Sequence, residues 1–173
     1  MELREQLESS GEDGEPPESP YQVLLANEQS TLQLDEQMLS SAVRSVFQES
    51  LYQSASVSLA LVDDPTMHEL NRQYLDHDYP TDVLSFVLED DGSHLQGQLV
   101  VSTDTAVESA SQFGWTANEE MLLYVVHGAL HLVGYDDQQP EQREAMRAAE
   151  ALHLGNLGIR IPDSHHSAAE DRA

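Results

Sequence analysis

The chain has no cysteine. Disulfides and thiolate metal sites are thereby excluded, so any metal ion would have to be held by His, Asp or Glu. The same absence suits a reducing cytoplasm. Lysine is missing too. The 7 basic residues are Arg4, Arg44, Arg72, Arg143, Arg147, Arg160 and Arg172, set against 32 acids for a formal net charge of -25. Affinity for nucleic acid comes mostly from cationic side chains that displace counterions, so this balance counts against a broad phosphate-binding face. Such an excess keeps a protein soluble and favours a monomer. No apolar run is long enough to cross a bilayer. The first twenty residues contain no apolar signal core, so neither a membrane span nor secretion is indicated. Aromatic residues are few, with one tryptophan, and they do not interleave with basic ones as in a single-strand-binding surface.

What is present fits one domain. A chain of 173 residues with 39% hydrophobic residues can build a single sizeable core. Residues 1–20 hold Glu2, Glu5, Glu8, Glu12, Asp13, Glu15 and Glu18 together with Gly11, Gly14, Pro16, Pro17 and Pro20. Such a segment has too little apolar surface to offset its ordering entropy and is expected to be a disordered acidic extension. Residues 162–173 read as a second, polar tail, which leaves 21–161 as the folded domain.

Within that domain the pattern predicts strands at 21–26, 56–62, 83–88 and 98–102, with a turn at Glu89–Gly92. Helices are predicted at 35–50, 64–74, 104–113, 118–132 and 141–154. Asp64 is the expected cap of the second helix, with Pro65 in its first turn. Sheet and helices alternate irregularly, so the fold class is α+β, a small mixed sheet packed against several helices.

The chemistry is concentrated in Val126-His127-Gly128-Ala129-Leu130-His131-Leu132-Val133-Gly134-Tyr135-Asp136-Asp137. His127 and His131 are four residues apart on a predicted helix, so their rings project from one face, one turn apart. Gly134 lets the chain leave the helix sharply. Asp137 can then return as a third ligand, with Asp136 as its neighbouring rival. Two imidazoles and one carboxylate leave a coordination position open, as at a catalytic rather than a structural zinc. Histidines at this spacing can also be ordinary core residues. Here a glycine stop and two aspartates follow, and burying two imidazoles without a shared partner would be costly. The spacing matches that of metzincin peptidases, but the glutamate that serves them as general base falls on Gly128. Peptide hydrolysis is therefore discounted. Zinc is favoured by the ligand set, although nickel or cobalt would suit the same donors.

The string from His127 to Asp136 resembles the signature of the YbeY family of bacterial endoribonucleases and ribosomal RNA maturation factors. Two further strings support the resemblance. They are Leu70-Asn71-Arg72-Gln73-Tyr74 followed by Pro80-Thr81-Asp82-Val83-Leu84-Ser85-Phe86, and the weaker Gly97-Gln98-Leu99-Val100-Val101-Ser102-Thr103-Asp104. Together they cover about Tyr21 to Leu157. The resemblance implies an α+β fold with one zinc held by His127, His131 and the residue at 137. It also implies single-strand-specific cleavage in ribosomal RNA maturation, in the cytoplasm, with ribosomal particles and assembly factors as partners.

Three departures stand out. Asp137 replaces the third histidine of the family. Leu75 occupies the place of its functional arginine, and Gln98 that of an acid. An aliphatic side chain cannot grip a phosphate. Arg72, three residues earlier and on nearly the same helix face, is the candidate catalytic substitute. Thr81, Asp82 and Ser85 are candidate hydrogen-bonding groups of the cleft, with a capped turn leading into a strand as the structural alternative. A metal ion could activate water or polarise a phosphoryl oxygen, and RNA also brings its own 2′-hydroxyl nucleophile. The residues leave both routes open. A competing reading keeps fold and zinc but makes the protein a non-catalytic ribosome-assembly factor. A third is a hydrolase of small or non-nucleic substrates.

Overall fold

The computed structural model describes residues 19–75 and 81–165. The proposed acidic extension up to residue 18, His77, Pro80, His166 and the rest of the C-terminal tail lie outside the described residues. Four strands run β1 Tyr21–Asn27, β2 Ser54–Val62, β3 Val83–Asp90 and β4 His94–Ser102. Among the described residues the principal helices are α1 Glu36–Gln48, α2 Asp64–Leu75, α3 Thr103–Phe113, α4 Ala117–Leu132 and α5 Pro140–Asn156. This is the α+β architecture expected from the sequence.

The sheet order is β1-β2-β4-β3. β1 pairs parallel with β2, and β2 parallel with β4. β3 and β4 form an antiparallel hairpin that places β3 at one edge. The period-two pattern of β2 explains how the sheet is covered. Ala55, Val57, Leu59 and Leu61 join the main core beneath α1, α4 and α5, whereas Ala60 and Val62 face a smaller cluster with Met67 of α2, Leu84 and Val100. α4 is apolar nearly all round, and it is accordingly the central helix, packed against β3, β4, α1, α3 and α5. Its start is fixed by a capping box. The Thr116 hydroxyl accepts from the Glu119 amide, and the Glu119 carboxylate accepts from the Thr116 amide.

Three local expectations are corrected. β4 begins at His94, four residues before its predicted start, and β3 extends through Glu89 and Asp90, so the reversal lies at Asp91–Ser93. Hairpin pairing draws these polar residues into the ladder, where Leu95 is fully buried. At Gly97, which weakens a strand pattern, a Cβ would lie 3.0 Å from a Leu132 methyl, so α4 packs tightly over the bare backbone there. Second, the cap of α2 is Asp63, whose carboxylate accepts from the Thr66 amide. Asp64 instead receives the Ser102 and Thr105 hydroxyls, while its own amide donates to Asp104. The starts of α2 and α3 are therefore tied together at the ends of the central strands β2 and β4. Third, His165 is not a free tail residue. Its ring stacks on Phe113 with centroids 4.1 Å apart, and its Nε2 lies 3.0 Å from the Glu120 carboxylate. Glu120, 1% exposed, also accepts from the Trp115 indole.

Candidate metal centre

The site is built by the end of α4 and the turn behind it. Helical spacing sets the His127 and His131 rings side by side, with their Nε2 atoms 3.1 Å apart. At the helix end Gly134 adopts φ 107°, left-handed backbone that suits glycine. The Gly134 amide donates to the His131 carbonyl and the Tyr135 amide to the Leu130 carbonyl, the paired bonds of a Schellman turn. This turn throws the chain back over the histidines. The Asp136 carboxylate accepts from the Asp137 amide at 2.8 Å, which occupies Asp136 in the turn itself. Asp137 Oδ2 then stands 3.4 Å from His127 Nε2 and 3.5 Å from His131 Nε2.

These three donor atoms form a triangle with sides of 3.1, 3.4 and 3.5 Å. A tetrahedral ion with bonds of about 2.0–2.1 Å has ligand-to-ligand edges of about 3.3–3.4 Å. The triangle has the dimensions of one face of such a tetrahedron, and among the described residues no fourth His, Asp or Glu joins the group. Tautomers point the same way. His127 Nδ1 lies 2.6 Å from a Glu150 carboxylate oxygen, and His131 Nδ1 lies 3.0 Å from the Tyr135 carbonyl oxygen. Both partners are acceptors, so each Nδ1 carries the hydrogen and each neutral ring offers a lone pair at Nε2. Three electron-rich atoms then converge within 3.5 Å, an arrangement that needs a proton or a cation among them. The group formed by His127, His131 and Asp137 could thus hold a metal ion.

The electrostatics of the metal-free site agree. Burial works against the charged form of His127, but the Asp137 and Glu150 carboxylates outweigh it, and its pKa is pushed up to about 10. The hydrogen bond with His127 lowers the Asp137 pKa against a smaller opposing effect of burial.

Gly128 lies between the two histidines and has its own explanation. Its carbonyl accepts from the Ser85 hydroxyl at 3.0 Å. A Cβ there would meet a Val83 methyl at 2.8 Å and a Leu99 methyl at 2.9 Å. α4 approaches the β3–β4 hairpin so closely that the glutamate of the peptidase motif has no room. Ser85 is therefore a packing bond of β3 to α4. Asp82 accepts from the Val83 amide and the Thr81 hydroxyl, which is the capped-turn alternative for that pair. Asp82 nonetheless lies close enough to His127 to favour its charged form.

Arg72 is set in the last turn of α2, its side chain 58% exposed and paired with Glu69 at 3.1 Å. Leu75 ends that helix and is 43% exposed. Glu150 was not anticipated from the sequence. The signal was an acid inside a stripe of α5 that also holds Met146, Ala149, His153 and Leu154, all of them buried. A charged residue on a core face calls for a partner, and the partner is a site histidine.

Fold and site together define an α+β protein whose central helix and the turn after it bring together a His-His-Asp cluster that could hold a metal ion. A family model described as endoribonuclease YbeY matches residues 24–158. The chain belongs to the endoribonuclease YbeY family. Endoribonuclease YbeY of Rhodopirellula baltica is 50% identical over 112 residues, covering 64% of this chain and 58% of that protein, so the match spans less than two thirds of that relative. Endoribonuclease YbeY of Salinibacter ruber is 38% identical over 157 residues, covering 86% of this chain and 99% of that protein. The solution structure of TM1509 from Thermotoga maritima superimposes with a TM-score of 0.55 at 25% identity, covering 78% of this chain and 91% of that one. Membership in this family supports an RNA-cleaving role. No helix among the described residues is long and apolar enough to cross a membrane.

Proposed function

We propose that the protein is a metal-dependent endoribonuclease that cuts single-stranded RNA during ribosomal RNA maturation. The ion is zinc, held by His127, His131 and Asp137. The observation that carries the reading is the triangle of donor atoms at 3.1, 3.4 and 3.5 Å, supported by family membership. When bound, the ion supplies Lewis acidity toward a phosphoryl oxygen or a water molecule. The chain's own residues supply the rest. Nδ1 contacts hold both imidazoles with Nε2 facing the centre, and the Schellman turn fixes Asp137 opposite them. Arg72 takes the phosphate-gripping role of the family arginine, for which Leu75 is chemically unfit. To do so its guanidinium must exchange Glu69 for phosphate, and exposed pairs of this kind are weak. The protein works in the cytoplasm as a monomer, with ribosomal particles and assembly factors as partners.

A second reading has one observation in its favour. With Leu75 at the arginine position, the protein would be a ribosome-assembly factor that retains zinc without cutting. One experiment separates the two. Purified protein is assayed on single-stranded ribosomal RNA with and without a chelator, beside His131→Ala and Arg72→Ala, and zinc content is measured throughout. Cleavage lost on chelation and in His131→Ala supports the nuclease. Zinc-loaded wild-type protein that binds ribosomal RNA or particles but leaves them whole supports the assembly factor. Equal zinc content in wild type and His131→Ala refutes the metal assignment itself.

A further inference from the structure

We propose that Glu150 is a positioning residue for the metal centre: through its contact with Nδ1 it holds His127 in the one tautomer and orientation that presents Nε2 to the ion. This rests on the metal reading above and extends it to a residue on a different helix.

Glu150 belongs to α5, which begins after the turn that carries Asp137. It is 8% exposed and sits in a stripe that is otherwise largely apolar, with Met146 and Leu154 buried against α4 and the main core. A carboxylate on such a face must lose most of its hydration. An apolar side chain of similar volume would dock α5 at less cost, so helix packing alone gives no reason for the acid. What the carboxylate does that a leucine cannot is accept a hydrogen. It does so at 2.6 Å from the ring nitrogen opposite the one in the triangle.

The two histidines are consequently held unequally. A backbone carbonyl at 3.0 Å orients His131, and a carboxylate at the shorter range of 2.6 Å orients His127. Hydrogen bonds to charged groups are stronger, and a carboxylate behind an imidazole makes it a better donor to a metal. His127 is thus the firmly held ligand. α5 also takes part in the site without touching the ion, so docking of α5 on α4 and metal affinity are coupled.

The test uses the full chain as wild type, Glu150→Gln and Glu150→Leu. Zinc affinity is measured by competition with a chromophoric chelator, and the ring nitrogens of the zinc-loaded protein are read by long-range 1H–15N NMR. Glu150→Leu is expected to bind zinc about 10–100-fold more weakly. Glu150→Gln, whose side-chain oxygen can still accept from Nδ1, is expected to fall between leucine and wild type. In wild type the His127 Nδ1 signal is expected to be protonated, with Nε2 shifted by the metal. Folded Glu150→Leu with zinc affinity within twofold of wild type overturns the proposal and leaves only a structural pair. If Glu150→Leu does not fold, the wild-type spectrum decides, because coordination through His127 Nδ1 overturns the proposal equally. Zinc uptake no greater in wild type than in His131→Ala would instead bring down the metal reading, and this proposal with it.

Discussion

Replacing Gly128 by alanine isolates the contact that seats the metal-bearing helix on the sheet. The new Cβ would lie 2.8 Å from a Val83 methyl, 2.9 Å from a Leu99 methyl and 3.1 Å from the Ser85 hydroxyl oxygen. Ordinary contacts at such positions are about half an ångström longer or more. Val83 is β-branched and resists rotation at χ1, and Leu99 is fully buried, so the strain falls on the spacing between α4 and the hairpin. Overpacking of this kind costs about 1–3 kcal/mol. Exchange of glycine for alanine inside a helix returns about 1 kcal/mol. A net loss of up to about 2 kcal/mol is expected, which lowers Tm by up to about 8 °C in a domain of this size. All three donor residues travel with α4 and its turn, so zinc affinity should change by less than about threefold even as stability falls. Urea unfolding and zinc competition on the same preparations read the two effects separately. Adding Val83→Ala should restore part of the lost stability, because it removes the shortest of the three contacts. Gly128→Ala more stable than wild type by the full helix increment of about 1 kcal/mol would refute the claim that close approach, rather than chance, keeps position 128 free of a side chain.

Three further outcomes are expected. Gly134→Ala meets no steric neighbour but forces alanine to φ 107°. It should lose about 1 kcal/mol by thermal unfolding and also bind zinc more weakly, because the same turn aims the Tyr135 carbonyl and Asp137; intact affinity would separate the turn from the site. Metal uptake should be pH-dependent. With the metal-free pKa of His127 up at about 10, zinc must displace a proton, so calorimetry in buffers of different ionisation heat should show about one proton released per ion near pH 7. In the metal-free protein, the raised pKa of His127 gives stability that is full below the ordinary value of 6.5 and is lost as pH rises toward about 10. The lowered pKa of Asp137 gives stability that is present above the ordinary 3.8 and is lost as pH falls. Urea unfolding against pH should therefore show the cluster's contribution to be greatest between about pH 4 and 6.5.

The amino-acid sequence by itself determined the elements with strong local signals. The strict alternation of Val57, Leu59 and Leu61, the helix start at Asp35 and the glycine stop at Gly134 all act within a few residues, so they can be read from order alone. His127 and His131 were legible for the same reason, since helical spacing places their rings without reference to the rest of the molecule. Asp137 could be favoured over Asp136 but not located, because its position depends on the hydrogen bonds of the Gly134 turn. Tertiary structure alone decided what depends on partners distant in the chain. The first residues of β4 become strand only through pairing with β3, and Asp64 is drawn from its own helix to the hydroxyls of Ser102 and Thr105. Gly128 is explained only by the hairpin pressing on α4. Glu150 and Glu120 find their histidines 23 and 45 residues away. Local propensity carries no information about such pairings, because their free energy comes from burial that exists only once the helices have docked.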